Sequence, residues 1–140
     1  MHWTGINYMS VPIAAVAAWL AGAVWYGLLF SKPWIAAAGI TPEQMAANKG
    51  KPAAILPFIY SFLANLMMAF VLSGILMHAG PLSVKNGLIS GALCWIGFVM
   101  TTMLVNNSFA MRSPRLLAID GGHWLVVLLL MGAIIGAIGR

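Results

Sequence analysis

Asp120 and His123 are the residues of this sequence whose types and spacing could support chemistry. They lie in the stretch from Leu116 to Trp124, and Asp120 is one of only two acidic residues in the 140-residue chain. A separation of three residues places both side chains on one face of a helix. The chemistries open to such a pair are an Asp–His hydrogen bond, a shared proton, or binding of a polar solute.

A purely structural role for Asp120 is the competing hypothesis. Its carboxylate could pair with Arg112 or Arg115, or could lie near a helix start, where a negative charge suits the helix dipole. Because Asp is common at helix starts, the structural role is favoured. His123 could in principle ligate a haem or chlorophyll, but no second motif supports this. His78 falls at the other end of the predicted bundle, so no metal site and no cofactor are expected.

The composition indicates an integral membrane protein. Hydrophobic residues make up 62% of the chain, charged residues only 6%, and the mean hydropathy is +0.96. A soluble domain of this size carries about a quarter charged residues, so this chain lacks the polar surface that water requires. The seven Lys and Arg residues are scattered rather than clustered, which argues against a nucleic-acid partner. The lone Cys94 is expected to be a packing residue.

Four apolar segments are each long enough to cross a bilayer, and we name them spans 1 to 4. Their predicted ranges are about 11–30, 53–77, 86–109 and 116–139. The expected fold is all-α, a single domain over residues 1–140 built as a four-helix transmembrane bundle. Lys32-Pro33 is expected to end span 1. In the connection that follows, Thr41, Pro42 and Gln44 form a capping-box pattern that predicts a short interfacial helix to about Asn48.

The distribution of basic residues predicts the orientation of the bundle. Five basic residues fall in the first and third connections and two on the other side; the five are Lys32, Lys49, Lys51, Arg112 and Arg115, and the two are Lys85 and Arg140. The positive-inside rule therefore assigns the first and third connections to the cytoplasm. We expect a bacterial inner-membrane protein with both termini outside the cytoplasm.

This orientation predicts which polar residues converge. Span 4 begins at the cytoplasmic end with Asp120 and His123, and span 1 ends there with Trp25 and Tyr26. The last third of span 3 also reaches that end. We therefore expect a polar site in the cytoplasmic half of the bundle, to which span 3 contributes Thr102, Asn106 and Asn107.

Small residues recur every fourth position and predict close helix packing. The predicted packing residues are Ala14, Ala18 and Gly22 in span 1, Gly87 and Gly91 in span 3, and Gly132 and Gly136 in span 4. Asn65 and Ser61 in span 2 are expected to join helices through hydrogen bonds, since an amide in lipid needs a partner. These faces could serve the bundle itself, a homo-oligomer or another membrane protein.

Three strings of the sequence resemble one family. They are Trp25-Tyr-Gly-Leu-Leu-Phe-Ser-Lys-Pro-Trp34, Ala38-Gly-Ile-Thr-Pro-Glu-Gln44 and Ile119-Asp-Gly-Gly-His-Trp124. They are similar to an uncharacterised bacterial family of small four-span membrane proteins that is defined only as a domain of unknown function. The resemblance extends over nearly the whole chain. It implies the four-span architecture and supplies no activity.

The sequence predicts a non-enzymatic protein, because HExxH, CxxC, Walker A and GxSxG patterns do not occur in it. The favoured function is helix packing, as an accessory subunit of a larger membrane complex or as a homo-oligomer. Its expected partners are the lipid bilayer and other membrane subunits or copies of itself. The alternative is a small proton-linked transporter or channel that uses Asp120 and His123.

Overall fold

The chain folds into a bundle of helices, and the computed structural model describes Gly5 and residues 7–140. Four helices are long and apolar enough to cross a membrane: Ser10–Leu29, Pro52–Ala79, Val84–Phe109 and Pro114–Ile138. These are spans 1 to 4, and each bound lies within two residues of its predicted position. The described residues form no strand. The all-α fold class is thereby confirmed.

Span 4 lies at the centre of the bundle. In its most apolar stretch 44% of the residues are buried, against 11% in span 3. Val127, Met131 and Ile135 project from it into the core, where they meet Ala18 of span 1 and Leu72 of span 2. Since span 4 touches all of the other three spans, it is the element that positions the polar residues at its own beginning.

Spans 3 and 4 pack through glycines that face each other. A Cβ atom added at Gly87 would overlap the carbonyl of Gly132, and one added at Gly132 would overlap the carbonyl of Gly87. Side chains at Gly91 and Gly136 would likewise strike backbone of the facing helix. The two GxxxG pairs therefore bring two helices of the same chain into backbone contact.

Spans 1 and 2 meet along the alanines of span 1. Ala14, Ala15 and Ala18 are fully buried and belong to the same core cluster as Ala69 and Leu72 of span 2. The predicted ridge of span 1 is thus also used inside the chain, because small side chains let the neighbouring helices approach closely.

The first connection contains two short helices, Ser31–Ala38 and Pro42–Asn48. At the second helix Thr41 Oγ1 accepts from the backbone N–H of Gln44, whose side chain accepts from the backbone N–H of Thr41. This is the predicted capping box. The expectation that Lys32-Pro33 ends span 1 is wrong. Span 1 ends at Leu29, the backbone turns at Phe30, and Pro33 sits in the first turn of the next helix, where a missing N–H is tolerated.

Spans 1 and 3 each contain one π-helical turn, over Trp25–Leu29 and Trp95–Met100. In span 1 the backbone N–H of Phe30 donates to the carbonyl of Trp25, five residues earlier, at 2.8 Å. A π turn takes one more residue than an α turn. Span 3 continues beyond its π turn, and the faces of its last part are therefore rotated by about 100° relative to an uninterrupted α-helix. In span 1 the π turn is the last turn of the helix.

The rotation is visible in the burial of span 3. Before the π turn, Gly87 and Gly91 face span 4, and α-helical spacing continues that face through Phe98, Thr102 and Asn106. Those three side chains are exposed, and the more buried positions lie one residue later, at Val99, Met103 and Asn107. The π turn has shifted the inward face by one residue.

The two ends of the described chain meet at one end of the bundle. The backbone N–H of Asn7 donates to the carbonyl of Gly139 at 2.9 Å, and the Asn7 amide donates to the carbonyl of Ile138 at 2.9 Å. The first and third connections, with their five basic residues, therefore lie at the opposite end of the bundle.

Candidate functional site

Asp120 is held by two neutral hydrogen-bond donors. The hydroxyl of Tyr26 donates to Oδ1 at 2.6 Å, and the indole N–H of Trp34 donates to the same atom at 3.0 Å. The shorter distance falls in the range of an O–H donor on an ionised carboxylate. The pairing with Arg112 or Arg115 that the sequence suggested is replaced by aromatic donors in the described structure.

Two further indoles bind the residues on either side of Asp120. The Trp25 N–H donates to the carbonyl of Ile119 at 3.1 Å, and the Trp95 N–H donates to the carbonyl of Gly121 at 2.8 Å. Three consecutive residues of span 4 are therefore each bound from outside their own helix. We call the four donors, Trp25, Tyr26, Trp34 and Trp95, the aromatic clasp.

The glycines after Asp120 make room for the clasp. A Cβ at Gly122 would lie 3.0 Å from Cζ2 of Trp25, and a Cβ at Gly121 would lie 2.9 Å from the sulfur of Met100. Bulky neighbours approach span 4 this closely only because both positions lack a side chain. The π turns contribute as well, since Trp25 and Trp95 are the first residues of those turns.

His123 is buried one turn further along span 4, with 7% of its surface exposed. Its ring centroid lies 4.8 Å from that of Tyr26 and 4.6 Å from that of Trp124. A Cβ added at Gly22 would lie 2.9 Å from Nε2, so this glycine gives the imidazole its space. Within the described residues, the buried Nδ1 atom has no hydrogen-bond partner.

A cavity of about 540 Å³ opens between spans 1, 2 and 4, and we call it the His123 cavity. Its size is that of a small-molecule site. Its polar lining comes from all three helices and comprises Trp19, Tyr26, Ser61, Asn65 and His123. Gly22, Gly27, Ala18 and Phe58 supply much of the apolar wall.

The two polar residues that span 2 contributes to the cavity behave differently. Ser61 accepts from the indole N–H of Trp19 at 3.0 Å, which joins spans 1 and 2 as the sequence suggested. The Asn65 amide instead donates to the carbonyl of Ser61 in its own helix at 2.7 Å. Its Oδ1 atom is buried and without a partner among the described residues. Asn65 therefore leaves an acceptor at the cavity instead of bridging two helices.

The structure brings Trp25, Tyr26, Asp120 and His123 together and leaves the predicted span 3 residues apart. Thr102 and Asn106 are exposed on the outer side of span 3, and the Thr102 hydroxyl donates to Phe98 of its own helix. Asn107 turns inward, but its buried amide nitrogen finds no partner among the described residues. The one-residue shift at the π turn of span 3 accounts for this difference.

Trp19, Trp34 and Trp95 are site residues that sequence reasoning missed. In the sequence Trp34 stands out only as part of the family-like string that begins at Trp25, and Trp95 carries no signal of its own. The usable signal was Gly121-Gly122 beside Asp120, because paired glycines in a span indicate a close approach by bulky groups.

The arrangement can bind a polar molecule. Asn65 offers an acceptor, while His123 offers a donor or an acceptor according to its tautomer. A buried polar atom without a partner costs about 1–3 kcal/mol, and an occupant that binds both atoms would recover that energy. The carboxylate of Asp120 lies one helical turn from the imidazole, so a proton-accepting group stands beside the cavity.

The chain matches a protein family. No curated protein and no solved structure matches the chain. Residues 9–136 match a family described as a protein of unknown function, DUF1761. The resemblance to an uncharacterised family is thus confirmed. Since the match extends over most of the 140 residues, the chain belongs to the DUF1761 family.

Proposed function

We propose that this chain is a non-enzymatic membrane protein that binds a small polar solute in the His123 cavity and carries it across the bilayer together with a proton. One observation carries the proposal: the cavity is lined by two buried side chains, His123 and Asn65, each with a polar atom unpartnered within the described structure. Polar groups inside a span are costly, and they are retained where they serve a pathway or a ligand.

The proposal assigns a role to each part of the site. His123 and Asn65 bind the solute, and Asp120 accepts the proton. Tyr26 links the two parts, because its hydroxyl donates to Asp120 while its ring contacts His123. The charge distribution supports a bacterial inner-membrane location with the first and third connections in the cytoplasm and both termini outside. The proton acceptor then lies near the cytoplasmic end.

The test is proton flux in proteoliposomes loaded with a pH-sensitive dye. The proton flux would be measured first without solute and then with small amines, carboxylates or alcohols added outside the vesicles. We expect one solute class to accelerate proton entry. We expect His123→Gln and Asp120→Asn to reduce that acceleration about tenfold, because each removes a hydrogen bond or charge contact of 1.5 kcal/mol or more.

Matched controls come from the same chain. His78→Gln changes an exposed histidine that bonds its own helix at Gly74, and Glu43→Gln changes the other acidic residue. Both controls should transport normally. The proposal is wrong if no solute class changes the proton flux, or if these controls lose as much activity as the site variants.

A pair of glycine variants separates the cavity from general helix packing. Gly22→Ala places a methyl group against Nε2 of His123, whereas Gly27→Ala adds one at the same cavity where nothing lies within 4 Å. We expect Gly22→Ala to reduce transport like His123→Gln and Gly27→Ala to leave it nearly unchanged. Equal effects of the two variants would contradict the assigned role of His123.

A second candidate function is helix packing as an accessory subunit or homo-oligomer. The rows of small residues that suggested this function pack against other helices of the same chain. Span 3 has a further row of small residues, which faces outward. Gly97, Thr101 and Ser108 are exposed on one face, and a Cβ at Gly97 would meet nothing within 4 Å. The two hydroxyls donate to carbonyls of their own helix, so a second helix can pack on this face without leaving either hydroxyl unpaired.

Native mass spectrometry after mild-detergent purification tests this candidate. Assembly through the outer face of span 3 predicts a defined complex that Gly97→Leu dissociates and Gly97→Ala preserves. A monomer in the unsubstituted protein, or a complex that survives Gly97→Leu, would count against it.

A further inference from the structure

A second concave surface lies next to the aromatic clasp and the His123 cavity, and it shares Trp34 with the first and Phe58 with the second. It is a groove of about 1160 Å³ between the Pro42–Asn48 helix and the first turns of span 2. Its floor is largely apolar and includes Ile40, Met45, Ala54, Pro57 and Phe58. Lys49 and Lys51 also line it, so the groove is amphipathic.

The chain offers few acidic side chains with which Lys49 and Lys51 could form ion pairs. The chain contains only two acidic residues, and Asp120 already accepts from Tyr26 and Trp34. The other, Glu43, lies in the first turn of the helix that Lys49 follows. Six residues of helical rise separate the backbones of Glu43 and Lys49 by about 9 Å. The positive charge of the groove is therefore available to an outside anion.

The position of the groove selects the source of that anion. Span 2 enters the bilayer at this point, and the Pro42–Asn48 helix exposes Met45 beside it. The apolar floor gives no contact that a free phosphate would use, whereas an acyl chain would bury it. Basic residues next to a span attract anionic lipids by about 1 kcal/mol each.

We propose that this groove binds one anionic phospholipid, with its phosphate between Lys49 and Lys51 and an acyl chain along Met45 and Phe58. The site goes beyond the transport function and does not depend on it. It also touches the clasp, because Trp34 lines the groove while its indole N–H donates to Asp120. A lipid in this groove therefore contacts a side chain that holds the carboxylate.

The experiment is native mass spectrometry of the full chain in a mild detergent. The protein would be titrated with phosphatidylglycerol and phosphatidylcholine of identical acyl chains, and with glycerophosphoglycerol as the headgroup alone. We expect one phosphatidylglycerol to be retained about tenfold better than phosphatidylcholine, and the headgroup alone not to be retained. The double variant K49Q/K51Q should abolish this preference.

Two further variants make the result specific. Lys85→Gln removes one positive charge at the other end of the bundle and should leave lipid selectivity intact. Ala54→Trp fills the groove without changing its charge and should release the lipid. Equal retention of both lipids, equal loss in Lys85→Gln, or retention in Ala54→Trp would overturn the proposal. Binding of the headgroup alone would show a phosphate site instead of a lipid site.

Discussion

Among the residues that the structure describes, Tyr26 and Trp34 donate hydrogen bonds to the carboxylate of Asp120, and neither side chain carries a positive charge. A Tyr hydroxyl and a Trp indole donate without adding a formal charge. These two donors therefore do not cancel the negative charge of the carboxylate, whereas the two charges of an Asp–Arg pair cancel each other. An uncancelled carboxylate at a span end attracts protons and cations, and this residue-level property is what the transport proposal uses.

We predict that Tyr26→Phe lowers the free energy of unfolding by about 1.5–3 kcal/mol, the range for a hydrogen bond to a charged group. The measurement is thermal unfolding in detergent. Tyr60→Phe is the matched control, because Tyr60 is 63% exposed on span 2. A double-mutant cycle with Asp120→Asn should show that the two losses are not additive. Equal stability of the Tyr26→Phe and Tyr60→Phe variants would contradict the prediction.

Asp120, His123, Trp25 and Tyr26 could be predicted from the sequence because topology alone brings the beginning of span 4 next to the end of span 1. Their partners could not. Hydrogen bonds from Trp34 and Trp95 depend on a short helix after Phe30 and on a π turn, and neither leaves a periodic signal in an apolar sequence.

At the scale of the helices, the contact of spans 3 and 4 sets the architecture. Gly87 and Gly132 bring the two backbones together so closely that neither position has room for a methyl group. In lipid the hydrophobic effect does not drive helices together, and the van der Waals contacts of closely packed backbones take its place. The sequence predicted these residues, and it left open whether they pair within the chain or between chains.

We predict that Gly87→Ala destabilises the bundle by about 1–3 kcal/mol or more, because the neighbouring atoms are backbone and cannot rotate away. Gly97→Ala, in the same span, should change stability by less than about 1 kcal/mol, since its methyl group meets nothing. Chemical denaturation in mixed micelles would compare the two variants. If both unfold at the same denaturant concentration, the glycine contact is not the one that holds these spans together.

For the whole molecule, the basic end and the end where Asn7 meets Gly139 are opposite each other. Five of the seven basic residues and both acidic residues lie at one end of the bundle, so the ends differ in the number of charged side chains. The overall arrangement was predictable from length and hydropathy, because a span needs about 20 apolar residues whatever its neighbours are. The exposed polar third of span 3 was not predictable, since the π turn rotates it without altering its length or composition appreciably.

We predict that the third connection faces the cytoplasm and the second faces outward. Two exposed alanines serve as matched reporters, Ala110 in the third connection and Ala79 at the end of span 2. In a Cys94→Ser background, which removes the only cysteine, a membrane-impermeant maleimide should label Ala79→Cys in intact cells. It should label Ala110→Cys only in inside-out vesicles. The reverse pattern would invert the orientation and place Asp120 at the outer end.

The π turn at Trp95–Met100 has a consequence for how the gene can change. Its extra residue corresponds to one codon, and deletion of that codon within the turn would allow an unbroken α-helix. Every later residue up to Phe109 would then move back by one helical position, which offsets the rotation of about 100° that the π turn introduces. Met103 and Asn107 would therefore still face span 4, and Thr102 and Asn106 would still face outward. In this segment an in-frame loss of one residue leaves the core-facing and lipid-facing residues on their own sides, whereas the same loss elsewhere in a span would exchange them.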